Sequence, residues 1–101
     1  MMPKKAPTVV ERRHMDAVAA LGCIVCRNLG YGYSPAIIHH CYAGRKGWRD
    51  NMLVLPLCPR HHNQPLTPNV AIHAGTRTWQ RTYGTEADLL SQVQALLVEV
   101  A

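Results

Sequence analysis

The sequence contains no phenylalanine, and its aromatic residues are four tyrosines and two tryptophans in a chain of 101 residues. A domain of this length buries roughly 60–65% of the surface of its unfolded chain, so its apolar core supplies only modest stability. Small domains of this kind are commonly reinforced by disulfides or by a metal ion. The chain has four cysteines and six histidines, and in a reducing compartment that mixture favours a metal site over disulfides.

A long hydrophobic run is also missing. No stretch approaches the roughly 18 consecutive apolar residues of a membrane span. The lysines at positions 4 and 5 are followed by no apolar segment typical of a signal peptide. We therefore expect a cytoplasmic protein with no membrane partner. The length fits one domain, and the hydrophobic content of 48% is that of a globular protein.

Acidic residues are few, since 6 Asp+Glu stand against 11 Lys+Arg and give a net charge of +5 with histidine neutral. A basic balance favours an acidic partner such as nucleic acid, although an excess of this size does not identify one by itself.

Local patterns predict one α+β domain over residues 8–101, preceded by a flexible basic arm over residues 1–7. Thr8 and Glu11 form a capping-box pattern and Gly22 supplies a stop signal, which together predict the first helix. The predicted elements are a helix over 9–21, strands over 36–42 and 51–57, a helix or turn over 58–62, a helix over 70–83, and a last helix starting at Thr85.

Two half-sites with the same spacing predict a structural zinc site. Cys23-x-x-Cys26 holds two thiols at a separation that suits one tetrahedral ion, and Cys58-x-x-His61 repeats the spacing. A redox motif and unliganded core thiols are the alternatives. Cys41 is a further candidate ligand, although a buried, metal-free thiol is the more common state of such a residue.

The chain has two histidine doublets, His39-His40 and His61-His62, and a further histidine, His73, follows them. Adjacent residues of a strand point to opposite sides, so His39 and His40 cannot both face one core. If His61 faces the zinc, His62 must point elsewhere. A second metal site with a histidine base beside it would use the surplus histidines.

The order His39-His40, Asn51, Cys58-x-x-His61-His62 and His73 resembles the HNH nucleases, which are built on a ββα-metal (His-Me) finger. The segments ALGCIVCR, IHH, LPLCPRHH and IHAG…W…YGTE more closely resemble the phage recombination-enhancement nucleases that act with RecA filaments. This closer resemblance covers roughly residues 14–90. It implies a ββα-metal core with a zinc knuckle and flanking N- and C-terminal helices.

The resemblance also implies a role for each motif residue. His40 would be the general base and Asn51 would orient it. His39, His62 and His73 would hold a catalytic metal, while Cys23, Cys26, Cys58 and His61 would hold the structural zinc. The second metal would be Mg²⁺, Mn²⁺ or Zn²⁺; an all-histidine set suits zinc or similar metals better than magnesium.

Phosphodiester hydrolysis needs a base that works near neutral pH and a cation beside the phosphate, and a histidine with a bound metal meets both needs. A basic group beside the motif is suited to contacting the DNA backbone without reading sequence. Its members are Arg45, Lys46, Arg49 and Arg60. An ordinary solvated loop is the alternative interpretation of this group.

The leading hypothesis is a metal-dependent DNA endonuclease from a phage or prophage, with DNA as substrate and a RecA filament as a candidate partner. The oligomeric state stays open. The alternative is a zinc-stabilised DNA-binding module without nuclease activity, which would need the Cys3His set but not the remaining histidines and Asn51. A zinc redox sensor is a third hypothesis, and it requires exposed, reactive thiols.

Overall fold

Two short antiparallel strands lie at the centre of the protein. The computed structural model describes residues 6–41, 50–62, 71–72 and 75–100. Over these residues the chain is α+β, as predicted, with the order α1(Val9–Ala20), α2(Ile24–Asn28), β1(Ile37–His40), β2(Val54–Leu57), α3(Pro59–His62), α4(Thr76–Tyr83) and α5(Glu86–Val100). Residues 1–5 of the predicted basic arm lie outside the described part.

Strand β2 is buried along its whole length. It pairs with β1 so that His39 lies opposite Leu55 and His40 opposite Val54. Helices α1 and α5 both pack against β2, which explains why its side chains are apolar without alternation. Strand β1 is only partly covered, and Ile37 at its start is exposed.

Both strands are shorter than the sequence predicts. The predicted strand over 51–57 begins only at Val54, because residues 50–53 form a turn. The Asp50 carboxylate accepts a hydrogen bond of 2.8 Å from the Met52 amide, and the Leu53 amide donates to the Asp50 carbonyl at 3.0 Å. An aspartate that bonds the backbone two residues on is a common turn device. In the other strand, Tyr42 lies outside the described residues.

Helix α1 begins and ends where the sequence predicts, within one residue. The Thr8 amide donates to Glu11 Oε1 at 2.8 Å, and the Glu11 amide donates to Thr8 Oγ1 at 3.1 Å, which completes the capping box. After the helix, Gly22 adopts a φ of +77°, and a Cβ there would lie 2.7 Å from the ring of Tyr33. Glycine is therefore required at this position for both conformation and space.

Helix α4 starts later than predicted, at Thr76 rather than near Val70. Gly75 precedes it, and the Gly75 amide donates to the Ile72 carbonyl in a turn at 3.2 Å. The predicted end of α4 is confirmed, since Gly84 follows its last residue. The predicted start of α5 is confirmed as well, because Thr85 Oγ1 accepts a hydrogen bond from the Asp88 amide at 3.1 Å.

The hydrophobic core contains the four cysteines together with apolar side chains of the helices and of β2. Trp79 of α4 and Leu55 of β2 are fully buried within it, next to Val18 of α1 and Val93 of α5. Among the helices in the described ranges, none is both long and apolar enough to cross a lipid bilayer.

Candidate metal centre and histidine cluster

The four predicted zinc ligands come together in the core. Cys23 caps α2, its sulfur accepting from the Cys26 amide at 3.4 Å, and Cys26 lies within that helix. Cys58 directly precedes α3, and His61 lies in it. All four side chains are buried. Two short helices thus bring the two half-sites face to face.

The separations between the ligand atoms suit one tetrahedral ion. With Zn–S bonds of about 2.3 Å and Zn–N bonds of about 2.0–2.1 Å, tetrahedral ligands lie about 3.6–3.8 Å apart. Cys26 Sγ lies 3.8 Å from Cys58 Sγ, and His61 Nδ1 lies 3.6 Å from both Cys23 Sγ and Cys26 Sγ. The Cys58 Sγ to His61 Nδ1 distance is shorter, at 3.1 Å. The donor atoms and their spacing therefore fit zinc.

Burial affects the ionisation of two of the four residues, Cys23 and His61. It raises the pKa of the Cys23 thiol to about 12. Burial also lowers the pKa of His61, with the nearby Arg60 charge as a smaller cause. The imidazole is therefore in the neutral form that binds metals, whereas a metal ion must displace the thiol proton on binding.

Two aromatic side chains of α4 support the cluster. The Trp79 indole N–H donates to the His61 carbonyl at 3.1 Å. The ring of Tyr83 meets the His61 ring edge to face, with 5.3 Å between the ring centroids. Such neighbours fix the orientation of a ligand side chain.

A second buried group of potential ligands lies around His39. His39 Nε2 is 3.8 Å from Glu86 Oε2 at the start of α5. The ligand atoms of His39, Cys41 and Glu86 lie within 4.8 Å of one another. Burial raises the pKa of Cys41, and a hydrogen bond with Glu86 raises it further. Cys41 thus lies with this group and apart from the Cys3His cluster.

His62 lies beside the same group. Its ring centroid is 5.3 Å from that of His39, with the two rings nearly perpendicular. Consecutive residues of a helix point about 100° apart, so α3 directs His61 to the cysteines and His62 to His39. Helix α3 therefore connects the two clusters.

His40, the neighbour of His39, pairs with Asn51. His40 Nε2 lies 2.9 Å from Asn51 Oδ1. An amide oxygen only accepts, so Nε2 is the donor, and in the neutral ring this tautomer has its lone pair on Nδ1. The turn held by Asp50 brings Asn51 to this position.

The Asn51 side chain also affects Glu11 of α1. The pKa of Glu11 is lowered mainly by hydrogen bonds with Thr8, and a hydrogen bond with the Asn51 side chain lowers it slightly further.

Not every predicted site residue falls within the described residues. His73, Arg45, Lys46 and Arg49 lie outside them. Arg60 is exposed on α3. His14, for which no functional role was predicted, donates from Nε2 to the Met52 carbonyl at 3.1 Å.

The sequence reasoning missed Glu86, and it did not place Cys41 beside His39. The signal for Glu86 was present, since it is the last letter of the YGTE segment used for the family resemblance. A single glutamate at a helix start is otherwise an ordinary residue. Only the packing of α5 against β2 shows what it contacts.

These observations define a small α+β protein with a buried Cys3His cluster that could hold a metal ion. A family model described as recombination enhancement, RecA-dependent nuclease matches residues 7–98. The match covers most of the chain, so the protein belongs to this family. The resemblance to these recombination nucleases is thereby confirmed.

Proposed function

We propose that the protein is a metal-dependent DNA endonuclease of the HNH type. In this proposal β1, β2 and α3 form the ββα-metal finger, and the Cys3His cluster is its structural zinc site. The order of the elements supports this assignment, because β1 carries His39 and His40, the turn before β2 carries Asn51, and α3 carries His62.

The observation that carries the proposal is the 2.9 Å contact between His40 Nε2 and Asn51 Oδ1. A general base must present a free lone pair in a fixed direction. By accepting a hydrogen bond from Nε2–H, Asn51 favours the tautomer in which Nδ1 is the basic nitrogen, and it holds the ring in place. His40 then takes a proton from the attacking water at Nδ1, and Asn51 acts as its positioning residue.

The group around His39 suits a second metal ion. We propose His39 and His62 as ligands, together with His73, and Glu86 lies close enough to His39 to orient it or to join the set. A set that combines imidazole and carboxylate donors suits zinc or manganese better than it suits magnesium. A cation there would neutralise charge on the scissile phosphate and on the leaving oxygen.

The substrate in this proposal is DNA, and cleavage depends on a RecA filament. The family description supports the RecA requirement, and the net charge of +5 agrees with a polyanionic substrate. Arg45, Lys46, Arg49 and Arg60 are proposed to contact phosphates without reading bases. A role in phage or prophage recombination would follow.

The test is a cleavage assay on circular single-stranded DNA and on supercoiled duplex, each with and without RecA and ATP. Mg²⁺, Mn²⁺ and Zn²⁺ are added separately, and one series receives no divalent metal. We expect nicks or breaks only with metal, and only in the series that contains RecA and ATP. Binding to DNA without cleavage in every series would contradict the proposal and favour the zinc-stabilised DNA-binding module.

A further inference from the structure

A groove outside both clusters runs along the exposed side of α4. It is an open depression of about 590 Å³, and its lining combines two arginines with uncharged polar side chains: Thr76, Arg77, Gln80, Arg81 and Thr85. Among the described residues, no acidic side chain lines it. The groove therefore carries positive charge from two arginines, and the side-chain stems between the polar groups form much of its wall.

The sequence of α4 produces this surface. Trp79 and Tyr83 face the core and the zinc cluster, while Arg77 and Arg81 are exposed. Arg77 and Arg81 are four residues apart, so their side chains leave the same face of the helix about 6 Å apart along its axis. One face thus anchors the helix, and the other presents two guanidinium groups.

Neither guanidinium forms an ion pair with any acidic side chain among the described residues. Within the part of the chain that the structure describes, no acidic side chain lies within 4.0 Å of Arg77 or Arg81. Two uncompensated cations beside threonine hydroxyls and an amide are the donors that phosphate oxygens accept from. The chemistry of the groove therefore complements a phosphodiester chain.

The groove adjoins the histidine cluster. The Glu86 amide donates to Oε1 of Gln80, a lining residue, at 3.0 Å. Glu86 also follows Thr85 directly, and its carboxylate lies 3.8 Å from His39 Nε2. A strand in the groove would consequently pass close to the residues that we assign to hydrolysis.

We propose that this groove binds the phosphodiester backbone of the nucleic acid next to the bond to be cleaved, with Arg77 and Arg81 each contacting one phosphate. Binding there is independent of base sequence. The inference rests on the proposed nuclease function for its choice of DNA, and it adds a second contact surface to the one predicted around Arg60.

The test measures DNA binding without cleavage, in a His40→Ala background, by fluorescence anisotropy between 50 and 200 mM salt. The probes are a labelled duplex of about 30 base pairs and a single strand of the same length. Log K falls as log salt rises, and each lost phosphate contact makes this slope less steep by about 0.9 on duplex and by about 0.7 on a single strand. The double variant Arg77→Gln, Arg81→Gln should therefore make the slope less steep by about 1.8 on the duplex and by about 1.4 on the single strand.

Two matched variants accompany the test. Arg77→Lys with Arg81→Lys keeps the charge and should keep most of the slope. Arg13→Gln with Arg27→Gln removes the same charge from exposed positions on α1 and α2 and should leave the slope nearly unchanged. Zinc content and melting temperature, compared across all variants, show that each remains folded.

An unchanged slope in the Arg77→Gln, Arg81→Gln variant overturns the inference, as does an equal loss in the Arg13→Gln, Arg27→Gln control. If the slope changes on only one of the two probes, the groove binds that form of DNA. If the wild-type protein cleaves DNA and the slope stays, the groove assignment alone fails. If it never cleaves and the slope falls, the groove stands and the nuclease proposal fails.

Discussion

Trp79 and His61 are joined by a hydrogen bond of 3.1 Å from the indole N–H to the backbone carbonyl. The bond connects the fully buried tryptophan of α4 to the short helix that carries both His61 and His62. Because His61 faces the cysteines and His62 faces His39, this contact supports the proposed zinc site and the proposed catalytic group together.

Trp79→Phe should destabilise the fold without removing the zinc ligands. It leaves the buried His61 carbonyl without its donor, which costs about 1–3 kcal/mol, and it also reduces the volume of the core side chain. Urea denaturation followed by circular dichroism measures the free energy of unfolding. Tyr31→Phe, at an exposed position, is the control. An equal stability for both variants would show that the bond contributes nothing.

Cys58→Ser should lower both zinc content and melting temperature, since zinc binding is coupled to folding in small metal-stapled domains. Cys23→Ser should behave in the same way. Zinc per chain is measured by elemental analysis beside a thermal melt. If either variant retains one zinc and an unchanged melting curve, its cysteine is not a ligand.

Cys41→Ala separates the two clusters. Cys41 contacts Glu86 and lies outside the Cys3His group, so the variant should retain one tightly bound zinc per chain. A modest loss of stability is expected because a buried side chain becomes smaller. Loss of the tight zinc would place Cys41 in the structural site instead.

Asn51→Ala should slow cleavage by about 10–100-fold, a typical loss when the partner that orients an active-site histidine is removed. Asn51→Asp keeps an oxygen acceptor for His40 Nε2 and should lose less activity. Cleavage rates are compared at saturating DNA, together with DNA affinity, which neither substitution should change greatly. Equal rates in Asn51→Ala and wild type would remove the positioning role.

Local sequence signals predicted the parts of the fold that depend on neighbouring residues. The Thr8–Glu11 capping box, the stop at Gly22 and the start of α5 at Thr85 are all confirmed. The repeated two-residue spacing predicted the four residues of the Cys3His cluster, whose ligand atoms lie within 4.8 Å of one another. In the helix caps the interacting groups lie within a few residues of one another, and each half of the Cys3His cluster is likewise local in sequence.

Two features were not predicted, one local and one distant. A strand pattern over 51–57 does not reveal that the Asp50 carboxylate bonds the Met52 amide, so the turn that holds Asn51 makes β2 shorter than predicted. Glu86 reaches His39 only because the start of α5 lies beside β1 in space. Sequence spacing carries no information on this second contact.

The most direct test of the account is the cleavage rate of His40→Ala, measured on RecA-bound DNA with added metal, beside the zinc content and melting temperature of the same preparation. We expect a loss of about 10²–10⁴-fold, the usual contribution of a general base, with one zinc per chain and an unchanged fold. Cleavage at the wild-type rate by the folded, zinc-loaded variant would contradict it.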